Sequence, residues 1–214
     1  MEPKNIVILA DGSFPQTAYP LSILNKADII ICCDGAILKL LEHTNLMADY
    51  IVGDMDTLDE ENKLKFKDII IHNPDQQTND QTKAFRWVLE NVSDISEIHI
   101  VGATGEREDH TIGNISLLME YTRMFDLEGI SIEMVSDEGT IFPISDTVEF
   151  DCGTGRSVSI FTPDNSLKIK SEGLEWPTDD VVFDNWWKAT LNKASQDHIR
   201  LVFSHRSIAL IMMN

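Results

Sequence analysis

The feature that most constrains this chain is the spacing of its short apolar runs. Over about the first 130 residues, runs rich in β-branched residues alternate with stretches of helical periodicity. Candidate strands are Asn5–Ala10, Asp28–Cys33, Tyr50–Gly53, Ile69–His72, Glu97–Val101 and Ile130–Val135. Most are apolar along their whole length, as expected of strands covered on both faces. Between them, Thr82–Val92 sets Phe85, Val88, Leu89 and Val92 on one helical face, and His110–Phe125 does the same with Ile112, Ile115, Met119 and Thr122. Strands alternating with helices predict an α/β fold, a Rossmann-like, doubly wound parallel sheet.

After about Glu138 the texture changes. Thr140–Ile144, Thr147–Phe150, Ser157–Phe161, Leu167–Ser171, Ile199–Phe203 and Ile208–Met213 follow one another with turn residues between them and no long helix. This predicts a small antiparallel β-sandwich. The expected organisation is therefore an α/β domain over 1–138 and a β-sandwich domain over 139–214.

Composition narrows the partners. Seventeen Lys and Arg stand against 36 Asp and Glu, a formal net charge of −19 in 214 residues. Neutralising phosphates along a nucleic acid needs a basic surface, so nucleic acid is excluded as a general partner. An anionic membrane surface is disfavoured for the same reason. The longest apolar run near the start, Ile6 to Ala10, is too short for a signal segment, and no stretch reaches bilayer length. Cys32, Cys33 and Cys152 have no disulfide or zinc spacing, which fits small core residues in a reducing cytoplasm.

The acids of the first half fall at strand ends. Asp11 follows the first strand and Asp34 the second. Asp54 and Asp56 follow the third, Asp75 and Asp80 the fourth, and Asp109 comes shortly after the fifth. In a parallel sheet these ends share one edge, where ligands bind. Each residue has a structural reading of its own. Asp54 and Asp56 suit turns, Asp80 and Asp109 suit helix caps, and Gly102 and Gly105 suit a tight turn. Their joint placement favours a cation, and Mg²⁺ shared with phosphate is the natural choice for carboxylate oxygens. The Asp54 segment is not an EF-hand, since its sixth loop position is Asp59 and its twelfth Lys65. Walker A, G-x-G-x-x-G and H-E-x-x-H patterns are absent. Asp54-x-Asp56 leaves a D-x-D phosphatase open as a rival, and a nucleotide-binding regulatory module is a second one.

Four ordered motifs point further. Asp34-Gly35-Ala36, Gly53-Asp54-Met55-Asp56-Thr57, Asp75-Gln76-Gln77-Thr78-Asn79-Asp80-Gln81-Thr82-Lys83-Ala84 and Gly102-Ala103-Thr104-Gly105-Glu106-Arg107-Glu108-Asp109-His110 together resemble the thiamine pyrophosphokinase family. The second half, with Gly173-Leu174-Glu175-Trp176-Pro177 and Ser195-Gln196-Asp197, is similar too. The resemblance implies transfer of diphosphate from ATP to the thiamine hydroxyl, giving thiamine diphosphate and AMP. It also implies a homodimer with active sites between subunits. It puts Asp54, Asp56, Asp80 and Asp109 around Mg²⁺–ATP, with Asp54, Asp56 and Asp80 as metal ligands, and Asp80 ahead of Asp109 as proton acceptor. Arg107 is set to meet phosphate and Gln76 the thiamine pyrimidine. Asp34, Gly35, Thr57, Asn79, Lys83, Thr104, Gly105, His110 and Ser195 complete the implied binding set. This chain departs from the family at Thr57 for Ser, Asn79 for Thr, Glu106 for the second Gly of Gly-Gly-Arg, and Ser195-Gln196-Asp197 for a Ser-Asn-Glu-like stretch. Trp176 and Trp186 are candidates to stack on a thiazolium, whereas Trp187 is expected to pack in the sandwich or at a dimer interface.

Overall fold

A computed structural model describes residues 2–214. Its elements run β1 (Lys4–Leu9), α1 (Ala18–Lys26), β2 (Ile29–Cys33), α2 (Ala36–His43), β3 (Tyr50–Gly53), α3 (Glu60–Lys65), β4 (Ile70–His72), α4 (Asp80–Asn91), β5 (Ile95–Val101), α5 (Glu108–Met124) and β6 (Ser131–Ser136). Then follow β7 (Gly139–Ile144), β8 (Val148–Asp151), β9 (Ser157–Phe161), β10 (Ile169–Glu172), a short 3₁₀ helix (Trp186–Ala189), β11 (Asn192–Lys193), β12 (His198–Phe203) and β13 (Ala209–Met213). The chain divides into two compact units. One comprises the residues up to Leu117 with Leu127–Asp137, the other Leu118–Asp126 with Glu138–Asn214.

In the first unit six strands lie in the order β6-β5-β1-β2-β3-β4, every neighbouring pair parallel. Ile6 pairs with Ile29, Cys32 with Ile51, and Gly53 with His72. Val7, Leu9 and Cys32 of the strands pack with Leu24, Ile37, Leu40 and Phe66 in one cluster. Each such side chain, fully buried, contributes about 1.5–3 kcal/mol. The helices start where local chemistry permits. Pro20 lies in the first turn of α1, where its missing N–H costs no helical bond. Asp59 caps α3 by accepting from the Asn62 N–H, and Asn79 caps α4 by accepting from the Thr82 N–H.

In the second unit β11-β9-β13-β7 form one antiparallel sheet and β10-β12-β8 another. Ile160, Ile169, Ile199, Leu201 and Ile211, drawn from both sheets, share one core, so the sandwich forms as its alternation predicts. Along β12, buried Ile199, Leu201 and Phe203 alternate with His198, Arg200 and Val202. Outward-facing Arg200 lies opposite Glu149 and Glu172, and His198 opposite Asp151. All three cysteines are buried and unbridged, and burial pushes the Cys32 and Cys33 thiols well above their usual range. Among the described residues no helix is long and apolar enough to cross a membrane.

One expected face is corrected. Ile112 is 58% exposed, while α5 buries Leu118, Met119 and Tyr121. Arg107, just before α5, and His110, Thr111 and Asn114 in its first turns, at i, i+3, i+4 and i+7, line a cavity instead. That polar stripe displaces the apolar one predicted for those turns.

Candidate active site

The turns after β1, β2, β3 and β5, with the first residues of α4 and α5, enclose a cavity of about 300 Å³. Asp11, Asp34, Thr57, Asn79, Asp80, Thr104, Arg107 and His110 are among its lining residues. Of the strand-end acids of the sequence, Asp11, Asp34 and Asp80 line this cavity, and Asp54, Asp56, Asp75 and Asp109 do not. Their local roles differ.

Asp34 is the most buried of them, 3% exposed, with a backbone φ of 40° that few non-glycine residues adopt. The Thr57 N–H donates to its Oδ2 at 3.2 Å, while Oδ1 is buried with no hydrogen-bond partner. Burial pushes its carboxyl up to about 6, and Asp56 and Asp80 add to the rise against the bond from Thr57. Oxygens of Asp34, Asp54 and Asp56 lie within 4.8 Å of one another. This donor set, with an orphaned buried oxygen and converging carboxylates, suits a hard divalent cation. Asp34, which the motif comparison put with the binding residues, is therefore the third member of the converging group.

Asp54 forms an Asx turn with the Asp56 N–H at 3.3 Å and accepts from the Gln76 amide at 2.7 Å. The Gln76 bond, the Asp56 N–H and the charge of Lys83 hold its carboxyl below the usual range. Met55 between the two acids has φ 64°, so the turn that brings them together is strained. Asp80 is the first residue of α4, and Asn79 does the capping, which frees the Asp80 carboxylate. Lys83 claims that carboxylate at 2.8 Å and reaches Asp54 at 3.8 Å. Burial lowers the Lys83 ammonium, but the bond and charge of Asp80, with Asp54 and Asp75, leave it above its ordinary value. A Cβ on Gly53 would stand 3.1 Å from Asp34 Cβ and 3.2 Å from Asp80 Oδ1, so a side chain there would crowd the acids. One on Gly35 would stand 2.6 Å from Thr57 Cγ2.

Arg107 and Asp109 form an exposed two-bond pair, at 3.1 Å from Nε and 2.6 Å from Nη2. The Arg107 bonds and the His110 N–H hold Asp109 down at about 2. Asp109 is thus an exposed partner of arginine and not part of the converging acids. Asp75 likewise serves a turn, accepting from the Gln77 N–H and the Thr78 hydroxyl. Gly105 has φ +94°, and a Cβ there would meet Ser13 Oγ at 2.6 Å. Ser195 belongs to the other unit, where it is exposed and its N–H donates to Gly173 O at 2.8 Å.

The second unit has a smaller cavity of about 220 Å³ lined by Trp176, Thr178, Lys188, Thr190 and Asn192. Trp186 meets Phe161 edge-on at 6.0 Å, and Trp187 is 65% exposed with the Lys188 ammonium 4.8 Å from its ring. Packing of Trp187 inside the sandwich is therefore corrected.

Sequence reasoning missed Lys39, Thr111 and Asn114. Asn114 donates to Ala103 O at 2.8 Å and receives Asn79 Nδ2 at 3.3 Å. The helical spacing from Arg107 to Asn114 carried the signal, and Lys39 was hidden because α2 itself was not predicted.

An α/β domain with a parallel sheet followed by a small antiparallel β domain is the fold of several solved structures. That of thiamine pyrophosphokinase from Bacillus subtilis aligns with TM-score 0.79 at 19% identity, covering 99% of both chains. Thiamin pyrophosphokinase from Candida albicans aligns with TM-score 0.75 at 18% identity, covering 99% of this chain and 88% of that one. Residues 21–128 match the family model described as thiamin pyrophosphokinase, catalytic domain, and residues 139–208 match its substrate-binding domain. Thiamine pyrophosphokinase 1 of Oryza sativa subsp. japonica is 25% identical over 203 residues, 82% of this chain and 74% of that protein. The chain belongs to the thiamin pyrophosphokinase family and carries both of its domains.

Proposed function

We propose that the strand-end acids of this chain carry out the family's reaction with Mg²⁺–ATP in the α/β cavity. The activity is thiamin pyrophosphokinase activity, in which the thiamine hydroxyl attacks the β-phosphorus of ATP and AMP leaves. The observation that carries the site assignment is the orphaned oxygen of buried Asp34 beside the oxygens of Asp54 and Asp56. Asp34, Asp54 and Asp56 would hold Mg²⁺, with Asp80 at the edge of the group. A bound Mg²⁺ supplies charge neutralisation for phosphate oxygens.

The chain's own groups do the rest. Lys83 keeps Asp54 and Asp80 in place with one buried ammonium. Asp80 lines the cavity with one oxygen committed to Lys83, and it accepts the hydroxyl proton on its other oxygen. Arg107 lines the cavity and offers its fork to phosphate oxygens by exchanging them for Asp109. Gln76, tied to Asp54, links the acid group to the thiamine pyrimidine.

Catalysis is assigned to residues 1–138, and thiamine binding and dimerisation to residues 139–214. Trp176 stacks on the thiazolium, with Ser195 serving the same substrate. The exposed Trp187 and Leu191 support a homodimer, and three unbridged cysteines support a cytoplasmic location.

The test is AMP release from ATP and thiamine with and without Mg²⁺. Asp54→Asn should lower Mg²⁺-dependent turnover by at least about 1000-fold with an unchanged circular dichroism spectrum. Normal turnover in that variant removes Asp54 from the site.

A further inference from the structure

Lys39 belongs to none of the sequence motifs, yet two segments of the cavity wall meet α2 at its ammonium. The Nζ contacts the main-chain oxygens of Asp11 and Gly12 at 2.8 and 2.9 Å, Glu106 Oε1 at 2.7 Å and Asp11 Oδ1 at 3.0 Å. An ammonium has three N–H donors, so four oxygens saturate it. The turn after β1 supplies Asp11 and Gly12, and the loop after β5 supplies Glu106. Lys39 itself rides on α2, which begins two residues after Asp34.

The first two of these segments are already stitched at their base. The Gly12 N–H donates to Gly102 O at 2.7 Å, and the Ser13 N–H donates to Thr104 O at 2.9 Å. Beyond Thr104 the backbone turns through Gly105, with φ +94°, before it reaches Glu106 and Arg107. A glycine lets the loop adopt that turn but does little to hold it there. Lys39 grips the loop at Glu106, immediately before Arg107. Without the ammonium, the Asp11 and Glu106 carboxylates would keep their charges with no cation between them, and repulsion would spread the two turns.

We propose that Lys39 is a positioning residue for the triphosphate. Acting through Glu106, it fixes the segment that presents Arg107, while its own charge stays committed to protein oxygens. This rests on the cavity being the nucleotide site. An arginine held in place binds phosphate in the ground state as well as the transition state, so the effect falls on the KM for Mg²⁺–ATP and little on kcat.

The experiment is steady-state AMP release by the full chain, with Mg²⁺–ATP and thiamine varied separately. Lys39→Met keeps the stem and removes the donors. It should raise the KM for Mg²⁺–ATP about tenfold, with kcat and the KM for thiamine within about twofold. Lys39→Arg should bring that KM back to within about threefold of the unmodified chain. Glu106→Gln should raise it about threefold, and Lys39→Met with Glu106→Gln should be no worse than Lys39→Met alone, because both break one contact. A KM for Mg²⁺–ATP within about twofold of normal in Lys39→Met overturns the proposal, and so do additive effects in the double variant. If Lys39→Met does not fold, an unchanged KM in Glu106→Gln overturns it. Asp54→Asn separates the two readings. If it is inactive while Lys39→Met is normal, only the clamp fails; if it is fully active, the nucleotide site lies elsewhere and both fail.

Discussion

The two units organise their acids in opposite ways. On the outward face of the small sheet in the β unit, Glu149 meets Arg200 Nε at 2.9 Å and Asp151 meets His198 Nδ1 at 2.9 Å. Each acid there has a basic partner across a strand, and all of these groups are open to water. In the α/β unit, Asp34, Asp54 and Asp56 converge at the ends of adjacent strands, and Lys83 reaches only the edge of the group. Cross-strand pairing neutralises charge locally and leaves nothing to attract a ligand. Convergence leaves negative charge concentrated where it is costly to bury, and a bound cation offsets that cost.

The comparison breaks most visibly at Asp34. Asp34→Asn should lower Mg²⁺-dependent turnover by at least about 100-fold, yet raise the unfolding midpoint without ligands, because it removes a buried charge lacking a full set of partners. A midpoint that falls by several degrees would show that Asp34 is held for stability. Asp80→Ala comes next. It strips Lys83, 3% exposed at its side chain, of its close partner and should cost about 2 kcal/mol in urea unfolding, since Asp80 itself is partly wet. An unchanged midpoint would mean that Asp54 alone satisfies the lysine.

A smaller effect is expected at His99, where Nδ1 lies 2.8 Å from Glu133 and Nε2 3.1 Å from Glu97. Burial lowers this imidazole, but its two carboxylate partners more than offset that and raise it above the ordinary histidine value. Its contribution is therefore complete below that ordinary value and fades as pH rises through the raised one. His99→Gln should cost about 1 kcal/mol near pH 6 and almost nothing near pH 9, as read by urea unfolding at the two pH values. Equal costs at both would remove the charge from the account. Least of all, Arg200→Met in the β unit should change stability by less than about 0.5 kcal/mol and leave turnover alone. A larger loss would give the cross-strand pairs a weight that the comparison denies them.

Much of this architecture was legible in the residues. The strands whose turns line the cavity, β1, β2, β3 and β5, have ends that differ from the predicted ones by no more than two residues, because their buried residues leave a strong apolar signal. The rim followed from strand order, since parallel strands share an edge. Short α1 and α2 were not placed, and Lys39 went with α2. Their few turns carry too little period to stand out, and packing decides them. The division of labour among the acids was also hidden. Asp75 and Asp109 have the same chemistry as Asp54, and only the hydrogen bonds of the fold set them apart. Ile112 misled because a polar ligand-facing stripe occupies the turns where an apolar face was expected.

The burial of Cys32, Cys33 and Cys152 leaves the surface of this protein without an accessible thiol. A single cysteine introduced on α3 as Leu64→Cys, where the native side chain is 70% exposed, would be the one thiol a maleimide dye meets in the folded state. The chain is thus ready for fluorescence work with its native thiols in place, and any further labelling would report that the native state had opened.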